Sequence, residues 1–507
     1  MSLAVVHARA MLGISAPAVT VEVHLSGGLP SLSIVGLPEA AVRESKDRVR
    51  SALINSGFDY PQRRITINLA PADLPKEGGR YDLAIALGIL AASKQLPPES
   101  LAGWEVLGEL TLAGEIRPVR GVLPAAIVCR DLGRALLVPR LNGAEAALVQ
   151  GCDVRVADHL LQVCSALRGD STLELALAVP PPAVSGLPDL MEVKGQYQAR
   201  RALEVAAAGS HNLLFSGPPG SGKSMLAARL PGLLPVLGER ERLEVAAVYS
   251  VAGCAIDTVG HGNRPFRNPH HTASAVALVG GGSQPRPGEI SLAHQGVLFL
   301  DELPEFPRAV LDVLREPLET GEILISRAAS QMLFPARFQL LAAMNPCPCG
   351  YFGDPSGRCR CTPDQIQRYQ GRISGPLLDR FDMQLNVKAL DPAQLLDPAR
   401  GQGEASGVVA QRVAAAMSLQ QARQGRPNRD LGAAELDQVC GLAAAQRDLL
   451  VNAATKLGLS ARACHRILRV ARTLSDLAAE ERVGEAQLLE ALSFRQGLLR
   501  QGGSGSR

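Results

Sequence analysis

Residues 212–224 read NLLFSGPPGSGKS, and this stretch decides the fold of the region around it. The apolar run Asn212–Ser216 predicts a short strand, and Met225–Leu230 predicts a helix soon after the glycine-rich turn. Between them stands the pattern G-x-x-x-x-G-K-S, in the strand–loop–helix context that a phosphate-binding loop requires. The alternative, a glycine-rich turn without a ligand, does not account for this context.

The residue types in this loop suit the binding of a nucleoside triphosphate. Glycines let backbone N–H groups turn inward around phosphates, and the N-terminus of the following helix adds partial positive charge. We expect Lys223 to reach the β- and γ-phosphates and Ser224 to ligate Mg²⁺, so that ATP and Mg²⁺ are the predicted cofactors. The predicted nucleotide-binding residues are Gly217, Pro218, Pro219, Gly220, Ser221, Gly222, Lys223 and Ser224.

An acidic pair follows later in the chain. After Gly296, the four apolar residues Val297–Leu300 predict a buried central strand, and Asp301 and Glu302 come directly after it. We expect Asp301 to hold Mg²⁺ through water and Glu302 to polarise the water that attacks the phosphate. Such a pair could instead cap the next helix, but the phosphate loop upstream favours catalysis.

Two further polar residues complete the predicted ATP site. Phe338–Met344 predicts another apolar strand, and Asn345 at its end would orient the water and sense the γ-phosphate. This arrangement favours the AAA+ class over RecA-like NTPases. Arg380 lies on a turn after a predicted helix and is interpreted as an arginine finger, which enters the site of a neighbouring subunit. A surface salt bridge is the alternative role for Arg380.

Four arginines near the C-terminus share one face of a predicted helix, because they are spaced 4, 3 and 3 residues apart. A solvated basic face is one interpretation. The other is that the first of them, at the helix start, folds over the γ-phosphate from a helical lid. The four are Arg462, Arg466, Arg469 and Arg472.

A cysteine cluster follows Asn345 directly. Cys347, Cys349, Cys359 and Cys361 form the pattern C-x-C-x9-C-x-C. Four thiolates close in sequence can bind Zn²⁺ tetrahedrally, and a site with all four positions filled is structural, not catalytic. The spacing departs from the common C-x2-C knuckle, so reduced cysteines without metal are the alternative. The remaining six cysteines are scattered along the chain.

The composition indicates a globular protein. It has 507 residues, of which 46% are hydrophobic and 20% charged, and such a length predicts roughly two to four domains. The net charge of +3 is too small for attraction of the whole molecule to nucleic acid, so DNA binding would need a local basic patch. Apolar runs such as Leu83–Ala92 are shorter than the ~20 residues of a membrane span. We also find no signal-peptide pattern and expect a cytoplasmic protein without a membrane partner.

The chain divides into three predicted domains. Residues 1–165 alternate short strands and helices, as in an α+β domain. Residues 191–395 have more apolar strands between helices, as in a doubly wound parallel sheet, and residues 396–500 are helical. The composition of residues 166–190 predicts a linker, and that of residues 501–507 predicts a flexible tail.

Periodicity predicts five elements within the first domain. Strands are predicted at Ala18–Leu25, Ile65–Leu69 and Trp104–Leu107, the first from strict alternation of apolar and polar residues. Helices are predicted at Glu39–Asn55 and Asp82–Lys94.

Further motifs carry a resemblance to a known family. They are FRNPHHT at Phe266–Thr272, GGG at Gly280–Gly282, PGEI at Pro287–Ile290 and NPCPCG at Asn345–Gly350. Together they resemble the bacterial ComM/YifB family of magnesium-chelatase-like AAA+ ATPases. The resemblance covers the chain to about Gln496. It implies an N-terminal S5/Lon-protease-like α+β domain, an AAA+ P-loop α/β module and a C-terminal helical lid.

The resemblance also implies a function. It implies a homohexameric DNA helicase that promotes branch migration of recombination intermediates. This activity would serve homologous recombination and, in competent cells, natural transformation. Asn345 would be sensor 1, Arg380 the finger and Arg462 sensor 2. The insertion His270–Gly282 and a hairpin at Gly321–Arg337 would face the pore of the ring. The expected partners are single- or double-stranded DNA and branched junctions, with little dependence on base sequence.

The first domain supplies candidate DNA contacts but no protease site. A Lon-like protease needs a serine nucleophile and a lysine base, and the corresponding positions hold Arg80 and Ala125. An ATP-driven chaperone that remodels proteins, with this domain as adaptor, is the alternative function. Candidate phosphate contacts, each of which could also be an ordinary surface residue, are Arg327 of the hairpin and Arg43, Lys46, Arg48, Arg50, Arg63, Arg64 and Arg80.

Overall fold

A computed structural model describes the protein at residues 2–37, 39–178, 186–282, 285–327, 330–354, 357–389 and 403–495. The chain forms two compact units, each built from segments that are separate in sequence. The first unit comprises Met1–Pro182, Gly238–Asn263 and Ser326–Phe334. The second comprises Ala183–Leu237, Arg264–Ile325 and Pro335–Arg507. The centre of the predicted linker, residues 179–185, and the predicted tail lie outside the described residues.

The first unit contains a mixed eight-stranded sheet in the order β10-β9-β8-β5-β1-β2-β4-β3. Its long strands β1, β2 and β4 pair antiparallel, whereas β5, β8 and β9 pair parallel. Strands β6 and β7 form a separate pair. In chain order the strands are β1 (Ser2–Arg9), β2 (Ala18–Ser26), β3 (Ser31–Val35), β4 (Arg64–Ala70), β5 (Trp104–Val106), β6 (Glu109–Leu110), β7 (Ile116–Arg117), β8 (Ala135–Pro139), β9 (Val154–Ala157) and β10 (Glu174–Leu175).

The sequence pattern predicts three of these strands, and the alternation in the first of them arises because one face of the sheet is buried. Val19, Val21 and Val23 of β2 are fully buried, as their alternation with polar residues predicts. The three predicted strands are confirmed to within two residues at each end. The helix Asp82–Ala92 covers this face, and its sequence, which is apolar after Asp82, is buried along its whole length.

The predicted helix Glu39–Asn55 is wrong as a single element. It consists of two helices, which are separated at Glu44. Ser45 begins the second helix, and its hydroxyl donates to the buried carboxylate of Asp82, which ties this point of the chain to the helix Asp82–Ala92. The α-helices of this unit are Ala40–Arg43, Ser45–Asn55, Asp82–Ala92, Val122–Leu132, Gly143–Ala146, Leu160–Arg168 and Glu239–Ala252.

The second unit contains a five-stranded sheet in the order β12-β15-β18-β11-β19, and every pairing in it is parallel. The predicted strands around residues 213, 298 and 341 are confirmed as β11, β15 and β18, which are neighbours. Parallel neighbours have their carboxyl ends at one edge, so the loops after these strands meet there. The five strands are β11 (Leu213–Ser216), β12 (Phe266–Arg267), β15 (Val297–Leu300), β18 (Gln339–Met344) and β19 (Met383–Asn386).

Two short pairs of strands lie at the segments that the family resemblance predicts as insertions, His270–Gly282 and Gly321–Arg337, although β14 follows the end of the first segment. Strands β13 (Gly280–Gly281) and β14 (Arg286–Pro287) pair antiparallel. Strands β16 (Glu322–Arg327) and β17 (Ser330–Pro335) form a second two-stranded sheet directly before β18.

The second unit also contains many α-helices. The predicted helix after the phosphate loop begins and ends earlier than predicted, at Lys223–Ala227. The predicted helical C-terminal region is confirmed by the last five helices of the described chain. The α-helices are Tyr197–Gly209, Lys223–Ala227, Ala275–Val279, Glu289–Leu292, Arg308–Asp312, Pro317–Thr320, Pro363–Gln370, Gly375–Leu378, Ser406–Gln424, Ala433–Cys440, Ala444–Leu457, Ala461–Leu477 and Glu485–Ser493.

Candidate functional site

The phosphate loop lines a cavity of about 420 Å³ at the carboxyl edge of the parallel sheet. Gly220 and Gly222 have φ angles of 75° and 89°, in the left-handed region that favours glycine. A Cβ atom at Gly217 would lie 2.2 Å from the carbonyl oxygen of Val387, so only glycine fits there. The loop backbone therefore requires the glycines that the motif provides. The described residues that line the phosphate-loop cavity are Pro219, Gly220, Ser221, Gly222, Lys223, Ser224, Met225, Asp301, Glu302, Met344 and Asn345.

Lys223 is held among acceptors at the base of this cavity. Its Nζ donates to the carbonyl oxygens of Gly217 and Pro218 at 2.8 and 2.9 Å and to Asn345 Oδ1 at 3.2 Å. Burial lowers the pKa of Lys223 from its ordinary value. The ammonium is thus placed between the phosphate loop and the end of strand β18.

The two predicted Mg²⁺ ligands are in contact. The hydroxyl of Ser224 donates to Asp301 Oδ2 at 2.5 Å. Oxygen donors of this kind are the ligands that Mg²⁺ prefers. Glu302 follows at the same edge, and its backbone N–H donates to the other carboxylate oxygen of Asp301 at 2.9 Å. The donor set therefore fits a magnesium–nucleotide complex.

Arg380 and Arg462 lie elsewhere, in a second cavity of about 710 Å³. Arg380 follows the helix Gly375–Leu378 and pairs with the carboxylate of Glu319. Burial and the nearby charges of Arg466, Arg462 and Arg315 lower the pKa of Arg380. Among the described residues, neither Arg380 nor Arg462 lines the phosphate-loop cavity. In the described part of the chain, seven arginines line the second cavity, namely Arg337, Arg380, Arg426, Arg429, Arg462, Arg466 and Arg469. We name it the arginine cavity.

A buried network that sequence reasoning missed supports the arginine cavity. Asp382 is buried, and it accepts hydrogen bonds from Arg466 Nη1 at 2.7 Å and from the backbone N–H of Asn212 at 2.9 Å. Burial alone would raise the pKa of Asp382, but His211, Arg466 and the Asn212 N–H together hold it well below its usual range. The fourth predicted arginine, Arg472, is buried and pairs with Asp476 at 2.9 Å, so it is not part of a solvated face.

The four clustered cysteines converge as predicted. Their sulfur atoms all lie within 4.8 Å of one another, and Cys347 is buried. The Sγ atom of Cys347 lies 3.3 Å from that of Cys349 and 3.8 Å from that of Cys359. Backbone N–H groups of Tyr351 and Arg360 lower the pKa of Cys349 to about 6, which favours the thiolate. Four convergent sulfurs fit a tetrahedral zinc site.

The candidate DNA contacts of the first unit separate into two groups. Arg80 is buried and donates to the carbonyl oxygen of Arg120 at 3.2 Å, and Arg48 pairs with the buried Asp82 at 2.7 Å. Because both guanidinium groups are engaged inside the protein, the prediction of Arg80 and Arg48 as phosphate contacts is wrong. Those that remain exposed are Arg43, Lys46, Arg50, Arg63 and Arg64.

Three of the exposed cations share one depression. Lys46, Arg50 and Arg63 line a cavity of about 230 Å³ together with Asp47 and Tyr60. The guanidinium of Arg50 lies over the Tyr60 ring, 5.3 Å from its centre.

Arg327, the remaining candidate for a DNA contact, is the last residue of strand β16. Ala125, which the sequence comparison with Lon-like proteases is expected to place at their lysine position, is fully buried.

Three family descriptions match successive parts of the chain. "Subunit ChlI of Mg-chelatase" matches residues 21–142. "Magnesium chelatase, subunit ChlI" matches residues 189–395, and its C-terminal description matches residues 403–495.

Two relatives match almost the whole chain. "Uncharacterized protein YifB" of Salmonella typhimurium is 50% identical over 98% of this chain and 97% of its own length. "Competence protein ComM" of Haemophilus influenzae is 50% identical over 98% of each chain. The chain belongs to the ComM/YifB family.

Membership of the ComM/YifB family confirms the resemblance that the sequence motifs carry. The ComM/YifB family is magnesium-chelatase-like and of the AAA+ class, which supports an ATPase that uses ATP and Mg²⁺. The "Magnesium-chelatase 38 kDa subunit" of Cereibacter sphaeroides is more distant, at 23% identity over 39% of this chain and 58% of that subunit. In the part of the chain that the structure describes, we find no helix that is long and apolar enough to span a membrane.

Proposed function

We propose that this protein is an ATP-driven DNA motor that works as a homohexameric ring and promotes branch migration of recombination intermediates during natural transformation. The observation that carries the proposal is the near-full-length similarity to a competence protein, in a chain that has a complete phosphate-loop site. The geometry of the site supports the roles that follow.

ATP binding and hydrolysis would use the residues of the phosphate-loop cavity. Lys223 would bind the β- and γ-phosphates, whose oxygens replace its carbonyl acceptors. Ser224 and Asp301 would hold Mg²⁺, which neutralises charge on the phosphates. Glu302 would accept a proton from the attacking water, and Asn345 would orient that water.

The separation of the two cavities supports the proposed ring. Arg380 lies among other cations in the arginine cavity, away from the residues that line the phosphate-loop cavity of the same chain. An arginine finger stabilises negative charge in the transition state. We therefore infer that Arg380, with Arg462 beside it, acts on the triphosphate bound by a neighbouring copy. Glu319 would hold Arg380 until that triphosphate competes for it.

Contacts to DNA would be mainly to phosphates. Phosphate contacts carry no base sequence, which suits a motor that moves along any DNA. The depression with Lys46, Arg50 and Arg63 offers three cations close together, and Arg64 and Arg327 are further candidates. Only 3% of residues are aromatic, so extensive base stacking is not expected.

The cysteine cluster would hold one structural Zn²⁺. All four ligand positions would be filled by Cys347, Cys349, Cys359 and Cys361, which excludes a catalytic role for the metal. A Cβ atom at Gly350, within this loop, would lie 2.4 Å from Pro219 of the phosphate loop. The loop thus packs against the nucleotide site, and the metal would fix it there.

A branched-junction assay tests the proposed function. Purified protein is mixed with a labelled mobile junction and either ATP or a non-hydrolysable analogue, with Glu302→Gln protein as the matched control. We expect strand displacement only with ATP and the unaltered chain, together with ATP turnover that DNA increases. If DNA has no effect on turnover and an unfolded protein client increases it, the chaperone alternative is correct instead.

A further inference from the structure

Five of the seven arginines that line the arginine cavity are bound by other groups of the chain. Their partners are carboxylates or backbone carbonyl oxygens, and the five are Arg380, Arg426, Arg429, Arg466 and Arg469. In the described part of the chain, the guanidinium groups of Arg337 and Arg462 have no hydrogen-bond or ion-pair partner. Arg462 already has an expected role beside the triphosphate of a neighbouring copy, but Arg337 has none.

The backbone of Arg337 is fixed on both sides. Its N–H donates to His294 Nδ1 at 3.1 Å, and its carbonyl oxygen accepts from the Gln295 N–H at 2.6 Å. Gln295 has a φ angle of 55°, in the left-handed region that residues with a Cβ rarely adopt. These bonds determine the point from which the side chain of Arg337 extends.

The side chain of Arg337 lies along Gly321. A Cβ atom on Gly321 would lie 2.7 Å from Arg337 Cγ and 3.2 Å from its Nε. Gly321 also has a φ angle of 73°, which favours glycine, so this residue leaves room for the arginine. Packing thus holds the stem of Arg337, while the residue remains exposed and lines the arginine cavity.

One short helix positions both Arg337 and Arg380. Glu319, which pairs with Arg380, lies within the helix Pro317–Thr320, and Gly321 follows the last residue of that helix. The two guanidinium groups line the same cavity, but they differ in one respect. Arg380 must leave Glu319 before it can bind a phosphate, whereas Arg337 has no partner to leave.

The lining of the arginine cavity is complementary to a strongly anionic ligand. Its two described carboxylates, Glu319 and Asp430, are already paired with arginines. The N–H groups of an arginine bind phosphate oxygens strongly, because the bonds are charge-assisted and can form in pairs. The free guanidinium of Arg337 therefore fits an anion from outside the chain, and the proposed ring would supply the triphosphate of a neighbouring copy.

We propose that Arg337 is a further phosphate-binding residue, which binds the triphosphate held by a neighbouring copy of the chain before Arg380 acts on it. The inference rests on the proposed function, because it takes the ring as the assembly. Since Arg337 is available as soon as the triphosphate arrives, it binds the ground state and the transition state alike. Its loss should therefore raise the KM for ATP and leave kcat nearly unchanged, whereas loss of Arg380 should lower kcat.

Steady-state ATP turnover without DNA tests the proposal. Arg337→Ala removes the side chain, and Arg337→Met keeps an unbranched stem against Gly321 without the charge. Arg447→Ala is the matched control, because Arg447 is an exposed arginine of the helix Ala444–Leu457 and is not among the described residues that line the arginine cavity. Thermal melting and light scattering show that each variant folds and assembles.

Mixed rings then test whether Arg337 acts between chains. Arg337→Ala chains are mixed with Glu302→Gln chains, which are inactive but carry Arg337, so that all turnover comes from sites on the Arg337→Ala chains. In the control mixture, the double variant Glu302→Gln/Arg337→Ala takes the place of Glu302→Gln.

We expect Arg337→Ala and Arg337→Met to raise the KM for ATP about tenfold or more, with kcat within about twofold of the unaltered protein. Arg447→Ala should change neither. Mixing with Glu302→Gln chains should restore a component of turnover with the unaltered KM, and mixing with the double variant should not. An unaltered KM in Arg337→Ala or Arg337→Met would overturn the proposal, as would failure of the Glu302→Gln chains to restore it.

Failure of the proposed function is visible separately. If turnover per chain of the unaltered protein stays constant on dilution to monomers, the ring is wrong, and the action of Arg337 on a neighbouring copy is wrong with it. If turnover needs assembly but DNA does not increase it, the DNA motor is wrong. The KM values, which are measured without DNA, still decide the role of Arg337 in that case.

Discussion

The ammonium of Lys223 donates a hydrogen bond to Asn345 Oδ1 at 3.2 Å, and this bond joins the phosphate loop to the end of the neighbouring strand β18. The residue that is expected to bind the γ-phosphate and the residue that is expected to sense it are therefore in direct contact. A γ-phosphate that draws Lys223 toward itself must change this contact. Strand β18 leads directly into the cysteine cluster, whose loop packs on Pro219 of the phosphate loop.

Lys223→Ala should abolish nucleotide binding. The substitution removes the cation at the base of the phosphate-loop cavity, and we expect the affinity for an ATP analogue to fall by about 100-fold or more. Titration with a fluorescent ATP analogue measures this. Lys456→Ala is the matched control, since Lys456 is an exposed lysine in the last turn of the helix Ala444–Leu457. Equal losses in both variants would contradict the assignment.

Glu302→Gln should keep nucleotide binding and stop hydrolysis. The amide preserves the shape of the side chain but cannot take a proton from water, so we expect kcat to fall about 100- to 1000-fold while the affinity for ATP changes little. Single-turnover hydrolysis combined with equilibrium binding separates the two effects. Normal turnover in this variant would show that another group is the base.

Replacing Cys347 and Cys359 together with serine should remove bound zinc. We expect about one Zn²⁺ per chain in the unaltered protein, because four convergent sulfurs make one tetrahedral site. Elemental analysis of protein purified without added metal measures the content. Cys254→Ser is the control, since Cys254 is an exposed free thiol outside the cluster. Equal zinc in the double variant and the control would refute the site.

Asp382→Asn should destabilise the second unit in a pH-dependent way. The change leaves Arg466 with a weakened buried partner, and we expect a melting temperature about 5–10 °C lower near neutral pH. Since the pKa of Asp382 is depressed in the fold, its contribution is complete above the usual aspartate pKa of about 4 and is lost as the pH falls further.

Calorimetry at several pH values tests the direction in which the stabilisation by Asp382 changes with pH. The difference in melting temperature between the unaltered protein and Asp382→Asn should be constant between about pH 6 and pH 8 and should shrink below about pH 4. A difference that grows as the pH falls would mean that the pKa of Asp382 is raised in the fold.

The phosphate-loop cavity could be predicted from the sequence because its parts follow apolar strands. Three apolar runs are followed directly by Gly217, Asp301 and Asn345. They predict three strands whose carboxyl ends meet, and these strands are neighbours in the structure. The cysteine cluster was predictable for a similar reason, since its four ligands are close in sequence.

The arginine cavity could not be predicted in the same way. Its residues come from helices and loops that are far apart in sequence, and no periodicity links Glu319 to Arg380. Asp382 lies only two residues after Arg380, yet its burial depends on His211 and Arg466 from distant elements. Arg80 and Arg48 were misjudged because an arginine with a buried acidic or carbonyl partner looks the same in sequence as an exposed one. His271 belongs to the motif Phe266–Thr272, but the approach of its Nδ1 atom to Glu302 Oε2, at 3.0 Å, depends on the pairing of β12 with β15.

The most direct test of the account mixes two inactive variants. Arg380→Ala alone should bind ATP but lose turnover by about 1000-fold or more, because each site lacks its neighbour's guanidinium. Glu302→Gln alone is inactive for a different reason, yet it still carries Arg380. When the two are mixed and allowed to assemble, each Arg380→Ala site that lies beside a Glu302→Gln chain regains a finger, so we predict that ATP turnover returns. If the mixture stays as inactive as the two variants alone while assembling normally, Arg380 does not act between neighbouring chains, and the central claim is wrong.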